Sequence, residues 1–300
     1  MNHLAGAGKL GIVGSPEGWY VQQLLQAAER ELGGDRVQVV EYMDLQAGLD
    51  SRGRLTSPCL QFDALLVRSM PLGSLEQVIF RMNCLHALQG AGVRVVNSPR
   101  SLEIAIDKWL TLDRLRMAGI AVPATRVVQT RSDALAAWRE LGGDVVVKPL
   151  FGGEGRGLLR VTDPDMAWRV FSTLQQLRSV MYVQEFVPHL GYDVRILLIG
   201  EVAYAIRRCV PAEGWRANLA QGGRAERYQA ESCEIEMARR CGRAVGAEIV
   251  GVDLLPGADG RVRVLEVNAV PGWRGIQEAW KVDVAREVVQ HSMAQARKVG

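Results

Sequence analysis

The 300-residue chain predicts an α/β unit followed by a larger α+β unit. Two observations carry this expectation. Over residues 9–98, short apolar runs alternate with amphipathic stretches, which builds a parallel sheet covered by helices. Beyond residue 98 the apolar runs come as hairpin-like pairs mixed with helices, the pattern of antiparallel sheets.

In chain order, Lys9–Gly14 is a strand, and in the segment that follows Leu24, Leu25, Ala28 and Leu32 recur at helical spacing. Strands are expected at Val37–Glu41, Asp63–Val67 and Val93–Val96. A helix from Leu75 to Gln89 carries Val78, Ile79, Met82, Leu85 and Leu88 as its apolar stripe. Ser98, Pro99 and Ser101 are cap and break signals, so a boundary falls near residue 98. The second unit opens with a helix over 101–118, then strands near 125–128 and 144–148, a glycine-rich loop and a strand at 156–161. A helix over 164–177 and a strand over 180–186 follow. Asp193–Ile199 and Glu201–Arg208 form a hairpin across Gly200. A helix over 231–245, a β-pair over 248–267 and a closing helix over about 276–297 complete the order.

Composition excludes several classes. The chain is 48% apolar and 23% charged, ordinary for a globular protein, and its formal charge of +3 is too small and scattered to argue for nucleic acid. No apolar run reaches membrane-span length, and MNHLAGAGK lacks a signal-peptide core, so a cytoplasmic protein is expected. The five cysteines form no C-x-x-C pair and are expected reduced; the four histidines are dispersed, which argues against zinc. Familiar nucleotide motifs fail. GAGKL at Gly6–Leu10 lacks the P-loop hydroxyl, Gly11, Gly14 and Gly18 do not spell G-x-G-x-x-G, and the 152–157 loop lacks kinase spacing.

Two stretches carry chemistry. In VVVKPLFGGEGRGLLRV a strand ends on Lys148 and a loop rich in glycine, with Gly153 and Gly155, leads to the next strand. Backbone N–H groups of such a loop close over phosphates while the lysine neutralises charge. In GVDLLPGADGRVRVLEVNAVPG two strands flank a turn. Glu266 and Asn268 then share a strand face about 7 Å apart. Asp253 on the partner strand falls opposite about Arg263, one or two ladder steps from Glu266. These are hard oxygen donors suited to magnesium shared with phosphates. Val262 and Val264 are expected on the same face, which argues that the acids are buried.

Lys148 with FGGEGRG, then QEF, D-x-R, WRANLAQGG, GVDLL and LEVNAVPG in this order resemble the ATP-grasp fold, and most closely the RimK-type α-L-glutamate ligases. The resemblance implies a Rossmann-like pre-ATP-grasp domain over 9–98 and an ATP-grasp domain over 99–300, divided at 187/188. It implies ATP and magnesium, two ions with manganese able to substitute. Lys108 and Lys148 match its phosphate-binding lysines, and Glu185 and Phe186 the segment whose backbone reads adenine. Asp193 matches a residue near the ribose. Arg216, Ala217 and Asn218 match a nucleotide- and phosphate-contacting triplet, and Asp253, Glu266 and Asn268 the magnesium ligands. Arg216 is the first candidate for stabilising the transferring phosphoryl group, and Arg195 the second. Arg207 and Arg208 are adjacent on a strand, so only one faces the site; Arg207 is named as a candidate, and the choice between the two stays open.

The implied reaction joins L-glutamate to an acceptor carboxylate through an acyl phosphate, the acceptor being a tetrahydromethanopterin-type cofactor or a protein C-terminus. No nucleic-acid or membrane partner is implied, and a homo-oligomer is compatible with it. A ligase of another ATP-grasp branch, or a non-catalytic ATP-binding regulator, are the other classes open to these motifs. Trp19, in the loop after the first strand, is placed either to stack on a flat ring or to staple its helix.

Overall fold

A computed structural model describes residues 8–152, 156–211, 214–215 and 224–296. The first unit runs β1 (Leu10–Val13), α1 (Trp19–Leu32), β2 (Val37–Val40), β3 (Gly48–Leu49), β4 (Leu55–Thr56), β5 (Ala64–Val67), α2 (Leu75–Gly90) and β6 (Arg94–Val96). Its main sheet is parallel in the order β2-β1-β5-β6, as the alternating pattern requires. On α2 the buried side chains are Arg81, Met82, Cys84, Leu85 and Leu88. Ile79, expected on that stripe, is instead 49% exposed beside the exposed Phe80, so the buried face is set by the half of the helix nearest β6.

The expected helix over 101–118 is two helices, α3 (Pro99–Ile106) and α4 (Lys108–Met117). Asp107 divides them, because its side chain accepts the N–H groups of Trp109 at 2.8 Å and Leu110 at 3.0 Å and so starts a new helix. Lys108 thereby becomes the first residue of α4. After β7 (Thr125–Val128) comes α5 (Arg131–Glu140), which the apolar pattern does not signal, since only Ala134 and Ala137 are buried on it. Thr130 caps it by accepting the Asp133 N–H. Then come β8 (Val145–Lys148), β9 (Leu159–Val161), α6 (Pro164–Gln176) and β10 (Met181–Glu185), giving an antiparallel sheet in the order β7-β10-β8-β9.

The third sheet contains β11 (Tyr192–Ile199), β12 (Val202–Cys209), β13 (Arg224–Tyr228), β14 (Ile249–Pro256) and β15 (Val262–Asn268), ordered β13-β12-β11-β14-β15, with α7 (Ser232–Val245) on one face. β13 is polar, RAERY, and gives no apolar alternation to find it by. The closing helix breaks into α8 (Arg274–Trp280) and α9 (Val284–Ala296), with Lys281 left-handed between them at φ 57°.

The third sheet has two unlike faces. Val194, Ile196, Leu198, Ala205, Val250, Val252, Leu254, Val264 and Val267 pack with α7. On the other face Leu197, Ile199, Ile206 and Ile249 join the core of the first unit, with Leu24 and Ala28 of α1 and Val288 and Val289 of α9. Asn97, 2% exposed, fastens that junction. Its amide donates to the carbonyls of Ile249 at 2.7 Å and Ala269 at 2.6 Å, and accepts from the N–H groups of Glu248 at 2.8 Å and Ile249 at 3.0 Å. The end of the same face not covered by this core carries charged side chains.

Candidate active site

Those charges follow from strand register. Asp193 and Arg195 alternate on β11; Asp193 pairs with Arg208 on β12, and Arg195 with Asp253 on β14. Cross-strand partners share a face, so Asp193, Arg195, Arg208 and Asp253 converge. Arg208, 3% exposed, donates to both oxygens of Asp193 at 2.6 and 2.7 Å and to Asp253 at 2.7 Å. Arg195 grips Asp253 from the other side at 2.6 and 2.7 Å. Burial alone would raise the Asp253 carboxyl, but Arg195 and Arg208 outweigh it and hold it well below the usual carboxylate range. Burial would likewise loosen the Arg208 proton, and the two aspartates more than reverse this.

The candidate Arg207 does not face the acids, which decides the choice left open between it and Arg208. It pairs with Val194 and so lies on the α7 face, where its guanidinium stacks 4.3 Å from the Tyr192 ring and 5.0 Å from Tyr228. Arg208 is the residue of that pair on the acidic face. The hairpin register shows it: Ile199 pairs with Val202, which carries Asp193 opposite Arg208.

Asp253 pairs directly with Glu266, not near Arg263, because a bulge at Leu265 shifts the register; Leu255 is what faces Arg263. The same bulge turns Val264 to the opposite face, into the α7 core with Val267. The valines therefore do not share the face of the acids, and Glu266 is only partly buried. Asn268 follows two residues on, its amide oxygen accepting the Val270 N–H at 2.8 Å, which fixes the side chain and leaves one lone pair.

Facing this edge from the second sheet is Lys148. Its ammonium donates to the Gln184 amide oxygen at 2.7 Å; Gln184 is 2% exposed and anchored in turn on Thr125 at 3.0 Å and Tyr182 at 3.2 Å. Burial pushes the Lys148 ammonium down to about 8, with Lys108 adding to the fall and Glu266 and Asp253 opposing it. Lys108 is also lowered by burial and supported by Glu266 and Asp107. Its ammonium donates to the Gly152 carbonyl at 2.6 Å, holding the base of the glycine loop. Gly152 at φ 109° and Gly157 at φ 72° occupy conformations that a side chain disfavours, and a Cβ on Gly157 would meet Pro149 at 2.8 Å. Gly153, Gly155, Arg216, Ala217 and Asn218 lie outside the described residues.

Between the sheets is a cavity of about 100 Å³ lined by Lys148, Gln184, Phe186, Val187, Asp193 and Leu265, among others. It is well below the roughly 300 Å³ of a drug-sized site, so it suits a planar ring rather than a whole nucleotide. Phe186 forms one wall and carries the Arg160 guanidinium 3.5 Å from its centroid. The Glu185 N–H is spent on the Ala124 carbonyl and the Phe186 N–H on Asp144, so neither donates to a ligand. Gln184 is the residue to which sequence reasoning gave no role. Gln184 shares strand parity with Tyr182, the register partner of Lys148, which was the available signal.

Two lysines from one side and paired acids from the other, around a ring-sized cavity, match a known domain over most of the chain: residues 105–291 fit the RimK-like ATP-grasp domain. The chain belongs to the RimK-like ATP-grasp family. It is an ATP-grasp ligase. A tetrahydromethanopterin:alpha-L-glutamate ligase from Methanosarcina acetivorans is 31% identical over 94% of this chain and 98% of that one. A probable alpha-L-glutamate ligase from Rhodopirellula baltica is 30% identical over 94% of this chain and 69% of its own length. The ATP-grasp ligase PsnB, solved with minimal precursor, Mg and ADP, superposes with a TM-score of 0.70 at 22% identity, over 96% of this ligase and 98% of PsnB. That likeness concerns the fold.

Among the described residues no group of three or more His, Cys, Asp or Glu side chains could hold a metal alone. Asp253, Glu266 and Asn268 bring two carboxylates and one amide to this edge, a set that would fit magnesium completed by phosphate oxygens. Glu266, partly exposed and flanked by two lysines, is the readiest donor; Asp253 would have to share its oxygens with Arg195 and Arg208. Among the described residues no helix is long and apolar enough to cross a membrane.

Proposed function

We propose that the ligase joins the amine of L-glutamate to an acceptor carboxylate, using ATP and releasing ADP and phosphate. The carrying observation is the convergence of Lys108 and Lys148 with Glu266 and Asp253, with Lys148 also lining the ring-sized cavity. The choice of glutamate rests on the names of the curated relatives, and a pterin-type cofactor is the leading acceptor because the Methanosarcina relative, matched nearly end to end, carries that name.

A carboxylate is not attacked by an amine at neutral pH until one of its oxygens becomes a leaving group. Transfer of the γ-phosphoryl group makes it one, as an acyl phosphate. The protein's part is positioning and charge. In this reading the purine lies against Phe186, with its edge met by the Glu185 carbonyl and Val187. Lys148, aimed by Gln184, and Lys108 stand at the phosphates. Asp253, Glu266 and Asn268 would hold magnesium, which supplies charge neutralisation on the phosphates. Arg195 sits beside Asp253 at the same edge, where a cation stabilises charge on the transferring group and on the tetrahedral intermediate. Arg216, outside the described residues, keeps the role that the family resemblance implies for it.

The reading is tested by incubating enzyme, magnesium, ATP and a cell extract with isotope-labelled amino acids, one at a time. Label from glutamate is expected in an amide-linked product found by mass spectrometry. Incorporation of alanine or lysine in its place would refute it.

A further inference from the structure

At the carboxyl edge of the parallel sheet, β1 and β5 are neighbours, with β2 beyond one and β6 beyond the other. Strand order reverses there, and such a point opens a crevice suited to ligands. Arg68 is the first residue after β5, its N–H bonded to the Val13 carbonyl at 2.9 Å. It is 8% exposed and packs against two aromatic rings that touch each other edge to face, 4.8 Å from the Tyr20 centroid and 4.5 Å from Trp273. No described carboxylate pairs with it. Its Nε is buried with no acceptor, and so is Nε1 of Trp273, the ring it stacks on.

Two adjacent buried N–H donors without acceptors, one of them cationic, are costly to keep in a folded protein. A buried arginine is ordinarily matched by an acid, as Arg208 is by Asp193 and Asp253. The missing acceptor at Arg68 is therefore the observation to explain. The surrounding chain is built closely around it. A Cβ on Gly272 would come within 2.6 Å of the Tyr20 hydroxyl, so glycine there leaves room for Tyr20 in the position where it meets Trp273 and Arg68. Trp273 lies five positions beyond Asn268, on the segment leaving the proposed metal strand.

We propose that Arg68, packed against the Tyr20–Trp273 pair, is a subsite for a substrate carboxylate. The proposal rests on the ligase reading above and names where one of its carboxylates is held. A planar guanidinium matches a carboxylate in bidentate geometry, and the aromatic walls keep water from competing. The triphosphate already has Lys108 and Lys148, so the anion at Arg68 is a carboxylate of the entering amino acid or of the acceptor.

The test titrates the full-length protein, loaded with magnesium and AMPPNP, by calorimetry with L-glutamate, with glutarate as an acceptor-like dicarboxylate, and with inorganic phosphate. Arg68→Met should weaken one carboxylate about tenfold or more, the loss of a charge-assisted bond, with AMPPNP affinity unchanged. Arg68→Lys keeps the charge but not the fork and should weaken the same ligand several-fold. Loss confined to L-glutamate assigns the subsite to the entering amino acid, and loss confined to glutarate assigns it to the acceptor. A structural arginine would give a lower melting temperature on replacement, whereas Arg68→Met should melt no lower than wild type because it removes an unmatched buried charge. Unchanged carboxylate binding in both variants, sensitivity of phosphate alone, or a wild type that binds neither carboxylate would overturn the proposal. Failure of wild-type protein to bind AMPPNP would sink the ligase reading instead, and the same titrations on nucleotide-free protein still decide the subsite.

Discussion

Raising the pH should weaken nucleotide binding through Lys148. Burial brings its ammonium down to about 8, so most molecules carry the charge at pH 7 and few carry it at pH 9.5. A triphosphate binds the charged form, so above pH 8 the free enzyme must take up a proton to bind. With a folded value of about 8, affinity at pH 9 should be about tenfold below that at pH 7, since one pH unit beyond the pKa is about 1.4 kcal/mol. The assay is calorimetry with AMPPNP and magnesium, repeated in two buffers of different ionisation enthalpy to count protons. Lys148→Met should bind more weakly at pH 7 and lose most of the slope. Stability of the ligand-free protein should move the other way. The folded value lies below the unfolded one near 10.4, so the unfolded chain holds more protons between about pH 8 and 10.4, and stability rises with pH across that window. Affinity that stays flat from pH 7 to 9.5 would refute the placement of Lys148 at the phosphates.

Arg208→Met should destabilise by about 3–5 kcal/mol in urea unfolding, because it strands Asp193 and half of Asp253 in the interior; Arg207→Met, on the other face, should cost clearly less, and equal costs would undo the register argument. Glu266→Gln should abolish magnesium-dependent turnover with an unchanged circular dichroism spectrum, because a neutral amide holds divalent ions poorly; retained turnover would exclude Glu266 as a ligand. Asn97→Ala removes four hydrogen bonds at the junction of the first and third sheets and should lower stability by about 3 kcal/mol or more, measured by the same unfolding.

The parallel and antiparallel sheets were legible because their strands are apolar runs of the right length, and the chemistry-bearing residues because Lys148 and Glu266 end or interrupt such runs. What escaped has physical causes. The α5 helix buries only alanines, and β13 is polar because it is an edge strand, so neither leaves a hydrophobic period to detect. Asp107 splits a helix by capping, a local competition that average propensity hides. The bulge at Leu265 reverses the parity of everything before it on β15, which is why Val264 was placed with the acids. The choice between Arg207 and Arg208 stayed open for want of a register, although the tight turn at Gly200 and Glu201 fixes one. Arg68 bears no motif; only its burial without an acid sets it apart.

The central claim is that a carboxylate is activated by phosphoryl transfer at the Lys148–Glu266 edge. It is tested most directly by separating the nucleotides formed during turnover with magnesium, L-glutamate and acceptor-containing extract. ADP and phosphate are expected, one of each for every amide bond formed, and neither above background in Glu266→Gln. Release of AMP and pyrophosphate, or amide formation that leaves ATP unconsumed, would contradict it.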